Sequence, residues 1–280
     1  MSEQRGVRMD LRLLVGGSVL VIVVLLALLA SWLSPATGSV HDIVATRFLS
    51  PGVTDAHGAF HLLGTDRLGR DVWSRLNYGA RISLAVGVLT MALSLVIGTL
   101  IGSAAALGPP SLRWCLLGLT DFALGVPRVV LLLLLAALWQ PGTVQVILVL
   151  GATGWMPIAR LVYAETRSQY ARPYVQGALA LGARRWRIML RHIVPHAAPS
   201  VLAAVTLGIG NAITLEAGLS FLGLGVQPPT ASWGTLIASG RDTVVNAPWV
   251  GLAPGIALVL VVAACTLVAD AVQDRARRLI

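Results

Sequence analysis

The chain has 280 residues, of which 56% are apolar and 12% charged; its formal net charge is +9 and its mean hydropathy is +0.80. Soluble domains average about 45–50% apolar and about 25% charged residues, so this composition excludes an ordinary soluble protein and indicates a membrane protein. All 21 basic residues are arginine, which excludes an ATP site of the P-loop type, because that loop needs a lysine on the phosphates.

Six segments are apolar and long enough to be membrane-spanning helices, which need about 20 residues to cross about 30 Å of hydrocarbon. We therefore predict an all-α membrane protein with six transmembrane helices at residues 11–33, 82–107, 116–138, 143–163, 197–219 and 250–272. The first is too long for a signal peptide, whose apolar region has about 7–15 residues, and is predicted to remain as an anchor. In the second, the spacing of Gly98, Gly102 and Ala106 predicts close helix packing.

The placement of arginine predicts the orientation of these helices. An even number of spans puts both termini on one side, and most arginines then lie in the loops on that side. Because cytoplasmic loops are enriched in arginine, we expect both termini in the cytoplasm. The arginines also adjoin apolar spans, so we expect a lipid bilayer and no nucleic acid as their partner. The predicted organisation is an N-terminal helix with an outer loop (1–81), a core of five helices (82–272) and a cytoplasmic tail (273–280).

The outer loop ends in a helical pattern just before the second span. Its apolar residues recur every fourth position, at Leu68, Val72 and Leu76. Two ion pairs with the acid first would support the same helix: Asp66 with Arg70, and Asp71 with Arg75. The pattern predicts a helix that lies on the outer membrane surface.

Two histidines in this loop, His57 and His61, are four residues apart. Two histidines without further ligands do not make a metal site, since zinc sites take three or four protein ligands, so we expect no metal. The sequence contains no HExxH motif, paired carboxylates or Ser-His-Asp arrangement. We therefore expect a non-catalytic protein.

The loop at 165–195, between the fourth and fifth spans, is the most informative segment. Pro173 suits the first position of a helix, Gly182 interrupts the helical pattern, and Pro195 is predicted to end it. The residues that share an apolar face in the second half are Trp186, Leu190 and Ile193. The pattern predicts a short helix, a bend at Gly182 and an amphipathic helix along the inner leaflet.

The order of residues in this loop resembles the coupling motif of binding-protein-dependent ABC importers: Glu-Ala-Ala, three residues, Gly, nine residues, Ile-x-Leu-Pro. The matching positions are Gln176, Gly177, Ala178, Gly182, His192, Val194 and Pro195. The spacing holds, although Gln, Gly and His replace the motif's Glu, Ala and Ile. Two longer runs, HLLGTDRLGRDVWSRLNYGARISL (61–84) and EAGLSFLGLGVQPPTASWGTLI (216–237), are similar to permease subunits of peptide, nickel and opine ABC importers.

The resemblance covers nearly the whole chain and implies the permease fold of type I ABC importers, in a bacterial or archaeal cytoplasmic (inner) membrane. It implies four partners: a homologous second permease, two ABC ATPases and an extracytoplasmic solute-binding protein. ATP and Mg would then be held by the ATPases, and no cofactor by this chain. The implied cargo is a short peptide, and nickel or a metal–opine chelate is the alternative.

The resemblance also assigns roles to individual residues. In the loop 172–195, the residues implied to couple to the ATPases are Tyr174, Gln176, Gly177, Ala178, Gly182, Arg184, Arg185 and Pro195. The residues implied to face the binding protein are Gly223, Gly225, Gln227, Pro228, Pro229 and Trp233.

Polar residues inside predicted spans are costly and therefore candidates for a gate or a solute path: Asp121, Asn211 and Glu216. For Glu216, a structural carboxylate capped by loop amides is an equal alternative. Asp121 is expected to meet a basic group near the cytoplasmic end of its span. A secondary transporter would need ionisable groups near the bilayer midplane, which are scarce here. A membrane scaffold would leave the ordered basic loop unexplained.

Overall fold

The computed structural model describes residues 10–33 and 43–279; within them, the side chains at 185, 186, 190, 192 and 276–279 lie outside the description. The elements in chain order are α1 (Leu11–Leu28), α2 (Ala30–Leu33), α3 (Ile43–Thr46), β1 (Val53–Thr54), β2 (Phe60–His61), α4 (Val72–Leu107), α5 (Pro110–Gly125), α6 (Arg128–Ala137), α7 (Thr143–Ala152), α8 (Trp155–Tyr170), α9 (Pro173–Ala180), α10 (Arg185–Ile188), a π-helical turn (Met189–Ile193), α11 (Val194–Phe221), α12 (Trp233–Arg241) and α13 (Trp249–Leu279).

Five helices among the described residues are long and apolar enough to cross a membrane. They are α1, α4, the nearly continuous α7 and α8 (Thr143–Tyr170), α11 and α13. The predicted third span is wrong as a single helix, because α5 and α6 meet at an angle of 87°. Pro127 causes the break: a proline disfavours the helical conformation of the residue before it, and Val126 is extended, with ψ 128°. Counted as one broken span, this pair brings the number to the predicted six.

The helix predicted on the outer membrane surface is not a separate element. Residues 67–69 form a tight turn, Thr65 pairs with Asp71 in an isolated β-bridge, and Gly69 has a φ of +72° that a helix does not use. Asp71 then caps α4 by accepting a hydrogen bond from the Ser74 N–H at 2.7 Å. Because Asp is a strong N-cap residue, Val72 and Leu76 become the first turns of the second span. That span is therefore longer at its start than predicted.

The helix α4 lies at the centre of the bundle and packs against α1, α7, α8 and α11. The predicted close packing at its small residues is confirmed. A Cβ on Gly98 would lie 2.8 Å from the Ile158 Cβ, and a Cβ on Gly102 would lie 2.5 Å from the Ala159 carbonyl oxygen. Glycine at these two positions lets α8 approach the α4 backbone directly.

The contacts of α4 define two opposite ends of the bundle. Near its start, Ser83 hydrogen-bonds Glu216 near the end of α11. Near its other end, Gly102 contacts Ala159 of α8, and α8 leads into the segment around Gly182. The antiparallel β1–β2 hairpin and the connection between α11 and α12 thus lie at one end, here called the hairpin end. The segment around Gly182 lies at the other, here called the Gly182 end.

Candidate functional site

The first candidate site is the turn that joins α9 to α10. Gly182 has a φ of +83°, a left-handed conformation that costs a residue with a side chain about 1–2 kcal/mol. The Gly182 N–H donates to the Leu179 carbonyl at 2.9 Å, and the Ala183 N–H donates to the Ala178 carbonyl at 3.0 Å. Together these bonds form a Schellman motif, which ends a helix at glycine. The predicted bend at Gly182 is confirmed. We call residues 173–193 the Gly182 hairpin; it lies at the Gly182 end of the bundle, opposite the end that carries the β1–β2 hairpin.

The inner face of the Gly182 hairpin is a small apolar core. Val175, Ile188 and Ile193 are fully buried there. Tyr170, the last residue of α8, packs against them together with the partly buried Ala178. Since these side chains come from α8, from both arms of the hairpin and from the turn that leads into α11, the hairpin is packed onto the ends of two long helices.

Hydrogen bonds strengthen this attachment on the α8 side. The Tyr174 hydroxyl donates to Gln169 Oε1 at 2.9 Å, and the Gln176 amide donates to the Tyr170 carbonyl at 2.7 Å. The outer face of the hairpin is open, and Leu181 at its tip is 91% exposed. Within this hairpin, the exposed members of the set implied to couple to the ATPases are Tyr174, Gln176, Gly177, Gly182 and Arg184. The side chain of Arg185 lies outside the description.

Pro195 does not end the helix, contrary to the prediction. The π-helical turn Met189–Ile193 runs directly into α11, so helical structure continues from Arg185 to Phe221. Pro195 has no N–H for the helical ladder, but it stands in the first turn of α11, where a proline is tolerated. Of the predicted apolar face, Ile193 is buried; the side chains of Trp186 and Leu190 lie outside the description.

The second candidate site surrounds Glu216 at the hairpin end. The Glu216 side chain has no exposed surface. Its carboxylate accepts hydrogen bonds from three serine hydroxyls: Ser83 of α4 (3.2 Å), Ser220 of α11 (2.7 Å) and Ser232 before α12 (2.7 Å). We call these four residues the Glu216 cluster. The carboxylate is thus held by hydroxyls rather than directly by loop amides.

Each serine of the cluster also accepts a hydrogen bond from a backbone N–H. The pairs are Trp233 N–H to Ser83 (3.0 Å), Val226 N–H to Ser220 (3.1 Å) and Thr235 N–H to Ser232 (3.2 Å). A hydroxyl has a single proton, and here each serine gives it to Glu216. Through the serines, one carboxylate joins α4, the end of α11, the start of α12 and the intervening residues 222–232, which we call the Pro228 loop.

Two glycines allow the Pro228 loop and α12 to lie this close to α11. A Cβ on Gly225 would be 2.5 Å from the Ser220 Cα, and a Cβ on Gly234 would be 2.6 Å from the Ala217 Cα. Sequence reasoning missed the three serines and Gly234. Only Ser220 carried a usable signal, because it lies four residues after Glu216 on the same helix face.

The residues implied to face the binding protein divide into two groups. Gly223, Pro228 and Pro229 are exposed, whereas Gly225 is buried and Gln227 braces the loop by donating to the Gly223 carbonyl at 3.0 Å. The expectation for Trp233 is wrong. Its side chain is 1% exposed and its indole N–H donates to the Leu76 carbonyl at 3.1 Å, because it fills the core between α4 and α12.

The other polar residues of the spans lie apart from the Glu216 cluster. Asn211 is exposed on the opposite face of α11, together with Thr214. Asp121 forms an ion pair with Arg160 of α8, which confirms the expected basic partner. Both of these side chains are about half exposed. Asp121, Asn211 and Glu216 therefore occupy three separate places rather than one site.

An ion-pair network stabilises the hairpin end outside the spans. Asp66 contacts Arg70 at 2.8 Å, as predicted, and Arg75 at 2.6 Å. The predicted Asp71–Arg75 pair is wrong, because Asp71 caps α4 and contacts His61 instead. Burial raises the pKa of Asp66, but hydrogen bonds from Arg70 and the charges of Arg70 and Arg75 outweigh it, so this pKa lies below its ordinary value.

His61 lies between two carboxylates in this network. Its Nδ1 is 3.0 Å from Asp71 Oδ1, and its Nε2 is 3.5 Å from Asp55 Oδ2. Within residues 10–33 and 43–279, no group of three or more His, Cys, Asp or Glu side chains is placed to hold a metal ion. The position of His61 is accounted for by its contacts with the two aspartates.

Comparison with known proteins agrees with these features. Residues 95–280 match the family described as "Binding-protein-dependent transport system inner membrane component". A putative peptide transport system permease protein of Brucella suis is 37% identical over 93% of this chain and 85% of its own length. The di/tripeptide transport system permease protein DppC of Pseudomonas aeruginosa is 35% identical over 91% of this chain and 84% of its own length.

The fold has a counterpart among solved structures. An inward-facing structure of the MetNI methionine ABC transporter aligns with a TM-score of 0.58, covering 74% of this chain and 96% of that chain, at 19% identity. At that identity the likeness concerns the fold, which is that of a type I ABC importer permease. With the family match over more than half of its length and relatives above 30% identity over most of it, this chain belongs to the binding-protein-dependent transport system inner membrane components.

Proposed function

We propose that this chain is one permease subunit of an ATP-driven importer that moves short peptides across the inner membrane. The proposed substrate class rests on one observation. Two relatives are named as peptide and di/tripeptide permeases, and each aligns over more than nine tenths of this chain. This similarity favours a peptide over nickel or a metal–opine chelate.

The proposal includes partner chains and an orientation. A homologous second permease would pair with this subunit, and two ABC ATPases holding ATP and Mg would supply the free energy of hydrolysis. A solute-binding protein would deliver the peptide at the hairpin end, and both termini would lie in the cytoplasm. The enrichment of arginine in the loops at the Gly182 end supports this orientation.

The Gly182 hairpin is the proposed contact with the ATPases. Its exposed outer face carries Tyr174, Leu181 and Arg184, a combination of aromatic, apolar and cationic groups that suits a protein interface. The side chains of its inner face pack on the end of α8, and its second arm continues into α11. Movement of an ATPase against the outer face would therefore shift the ends of both helices.

The exposed face of α11 is the proposed lining of the solute path. The Asn211 amide would be costly in contact with lipid, so this face suits a water-filled passage or the second permease. Asp121, paired with Arg160, remains a candidate at the cytoplasmic side of the path. Glu216 has no exposed surface in this conformation, so a direct contact with solute would need the cluster to open.

The test is reconstitution of the whole importer. The chain is co-purified with its second permease and ATPases, placed in proteoliposomes and supplied with the binding protein and a labelled dipeptide. ATP-dependent accumulation of the dipeptide is expected, and an ATPase variant that cannot hydrolyse ATP should abolish it. Accumulation of nickel without accumulation of peptide would overturn the proposed substrate class.

A further inference from the structure

The proposed import cycle gives no role to the Glu216 cluster, although it is a buried polar group at the hairpin end. The exposed fractions of Ser83, Glu216 and Ser232 are all 0%. A carboxylate with no exposed surface does not bind solute or solvent in this conformation. Its function has to be sought in the segments that it holds together.

The hydrogen bonds of the cluster depend on Glu216 as the common acceptor. Each serine hydroxyl accepts one backbone N–H, so its own proton is directed away from the backbone and towards the carboxylate. If the acceptor were removed, three buried hydroxyl protons would lose their partner together. The three amides that reach Glu216 through the serines are those of Val226, Trp233 and Thr235. All of them belong to the Pro228 loop or the start of α12.

The segments joined by the cluster continue to both candidate interfaces. On one side lies the Pro228 loop, with Gly223, Pro228 and Pro229 exposed at its surface. On the other side, α11 runs from the cluster to the π-helical turn and the Gly182 hairpin without a break in helical structure. Glu216 and Ser220 are both on α11, so the cluster is the point at which the loop is fixed to that helix.

We infer that Glu216 is a positioning residue: it clamps the Pro228 loop and α12 onto α4 and α11, so that docking of the binding protein on the loop displaces α11 and, through it, the Gly182 hairpin. The inference rests on the proposed function for the identity of the docking partner. It assigns to Glu216 the transmission of the docking signal rather than contact with peptide.

Amide hydrogen exchange tests the clamp without reference to transport. In the purified complex, Glu216→Ala should speed exchange of the Val226, Trp233 and Thr235 amides about tenfold or more, because their serine acceptors lose their orientation. Glu216→Gln keeps one acceptor oxygen and should have a smaller effect. Thr206→Ala is the matched control, since this α11 hydroxyl bonds only its own helix, at the Leu202 carbonyl. Unchanged exchange in Glu216→Ala would overturn the clamp.

The ATPase rate of the complete complex tests transmission. Glu216→Ala should leave the rate without binding protein within about twofold of wild type and reduce the increase caused by peptide-loaded binding protein at least about fivefold, a loss of coupling of about 1 kcal/mol. If Glu216→Ala does not assemble, Ser83→Ala and Ser232→Ala each remove one hydroxyl. Each should leave the basal ATPase rate nearly unchanged and reduce its stimulation by the binding protein, by less than Glu216→Ala does. Full stimulation in both serine variants would overturn the inference.

The two proposals fail in different ways. If the wild-type complex is stimulated by its binding protein but accumulates no peptide, the proposed substrate is wrong, while the ratio of stimulated to basal ATPase still reports on Glu216. If the wild type imports peptide and the Glu216 and serine variants retain full stimulation, the proposed function stands and the inference about Glu216 is refuted.

Discussion

Replacement of Gly182 by valine is the sharpest test of the Gly182 hairpin. Gly182 has a φ of +83°, and a Cβ added there would meet no atom within 4 Å. The penalty is therefore conformational rather than steric contact with a neighbour. A left-handed conformation costs an L-residue about 1–2 kcal/mol, and a β-branched side chain lies at the upper end. The Schellman bonds of Gly182 and Ala183 should open about five- to thirtyfold more often.

The consequence should be a loss of coupling rather than of assembly. The valine variant should insert and bind its partners, yet import fewer peptides per ATP hydrolysed, because the hairpin yields when the ATPases move. Peptide uptake and phosphate release measured in the same proteoliposomes give this ratio. Gly182→Asn should be milder, since asparagine tolerates positive φ. Gly118→Val is the control: Gly118 is helical in α5 and a Cβ there also meets nothing within 4 Å. An unchanged ratio in Gly182→Val would refute the role of the hairpin.

Three further predictions concern other parts of the fold. Gly102→Leu should separate α4 from α8 and lower the yield of folded protein in detergent, because the new Cβ meets the Ala159 carbonyl at 2.5 Å; normal yield and melting temperature would contradict this packing. A double-mutant cycle on Asp121 and Arg160 should give a coupling below about 1 kcal/mol in thermal unfolding, since both side chains are half exposed; a larger value would show that the pair is desolvated in the assembled importer. Asp66 has a lowered pKa in the folded state, so its contribution to stability is present above the unfolded value of about 3.9 and should be lost as pH falls through the lower folded value. Asp66→Asn should remove that part of the pH dependence of proteolysis at the hairpin end, and an unchanged pH profile would argue against the network.

The sequence was sufficient to predict the long helices, because an apolar run of the required length has few other structures available to it in a membrane. Their boundaries were predicted less well. The second span starts at Val72 because Asp71 caps it, and that short-range signal was outweighed by the apolar spacing around Leu68. The break at Pro127 followed from a proline that was visible in the sequence, but the angle between α5 and α6 depends on how both helices pack.

The candidate sites differ in how far the sequence could define them. The bend at Gly182 is a local property of one residue and its neighbours, so the pattern alone indicated it. The Glu216 cluster joins Ser83 to a residue 133 positions later in the chain, and no local rule pairs such residues. Trp233 was expected to face the binding protein because the resemblance implied it for the whole run 223–233. Its burial depends on α12 folding back against α4, which only the tertiary structure shows.

The two prolines of α11 explain how one helix can be fixed at one end and yield at the other. Pro195 and Pro199 are one turn apart, and neither can donate a backbone hydrogen bond. The helix is therefore easiest to bend where it leaves the Gly182 hairpin. Between Pro199 and Glu216 it contains no further proline and is closely packed on α13 and α4. A displacement of the hairpin would first bend α11 near Pro199, and only a movement large enough to carry the closely packed part of the helix would reach the Glu216 cluster. On this reasoning, small displacements from either end would be absorbed near Pro199, and only a docking movement or an ATPase closure large enough to carry the closely packed part of α11 would couple the Pro228 loop to the Gly182 hairpin.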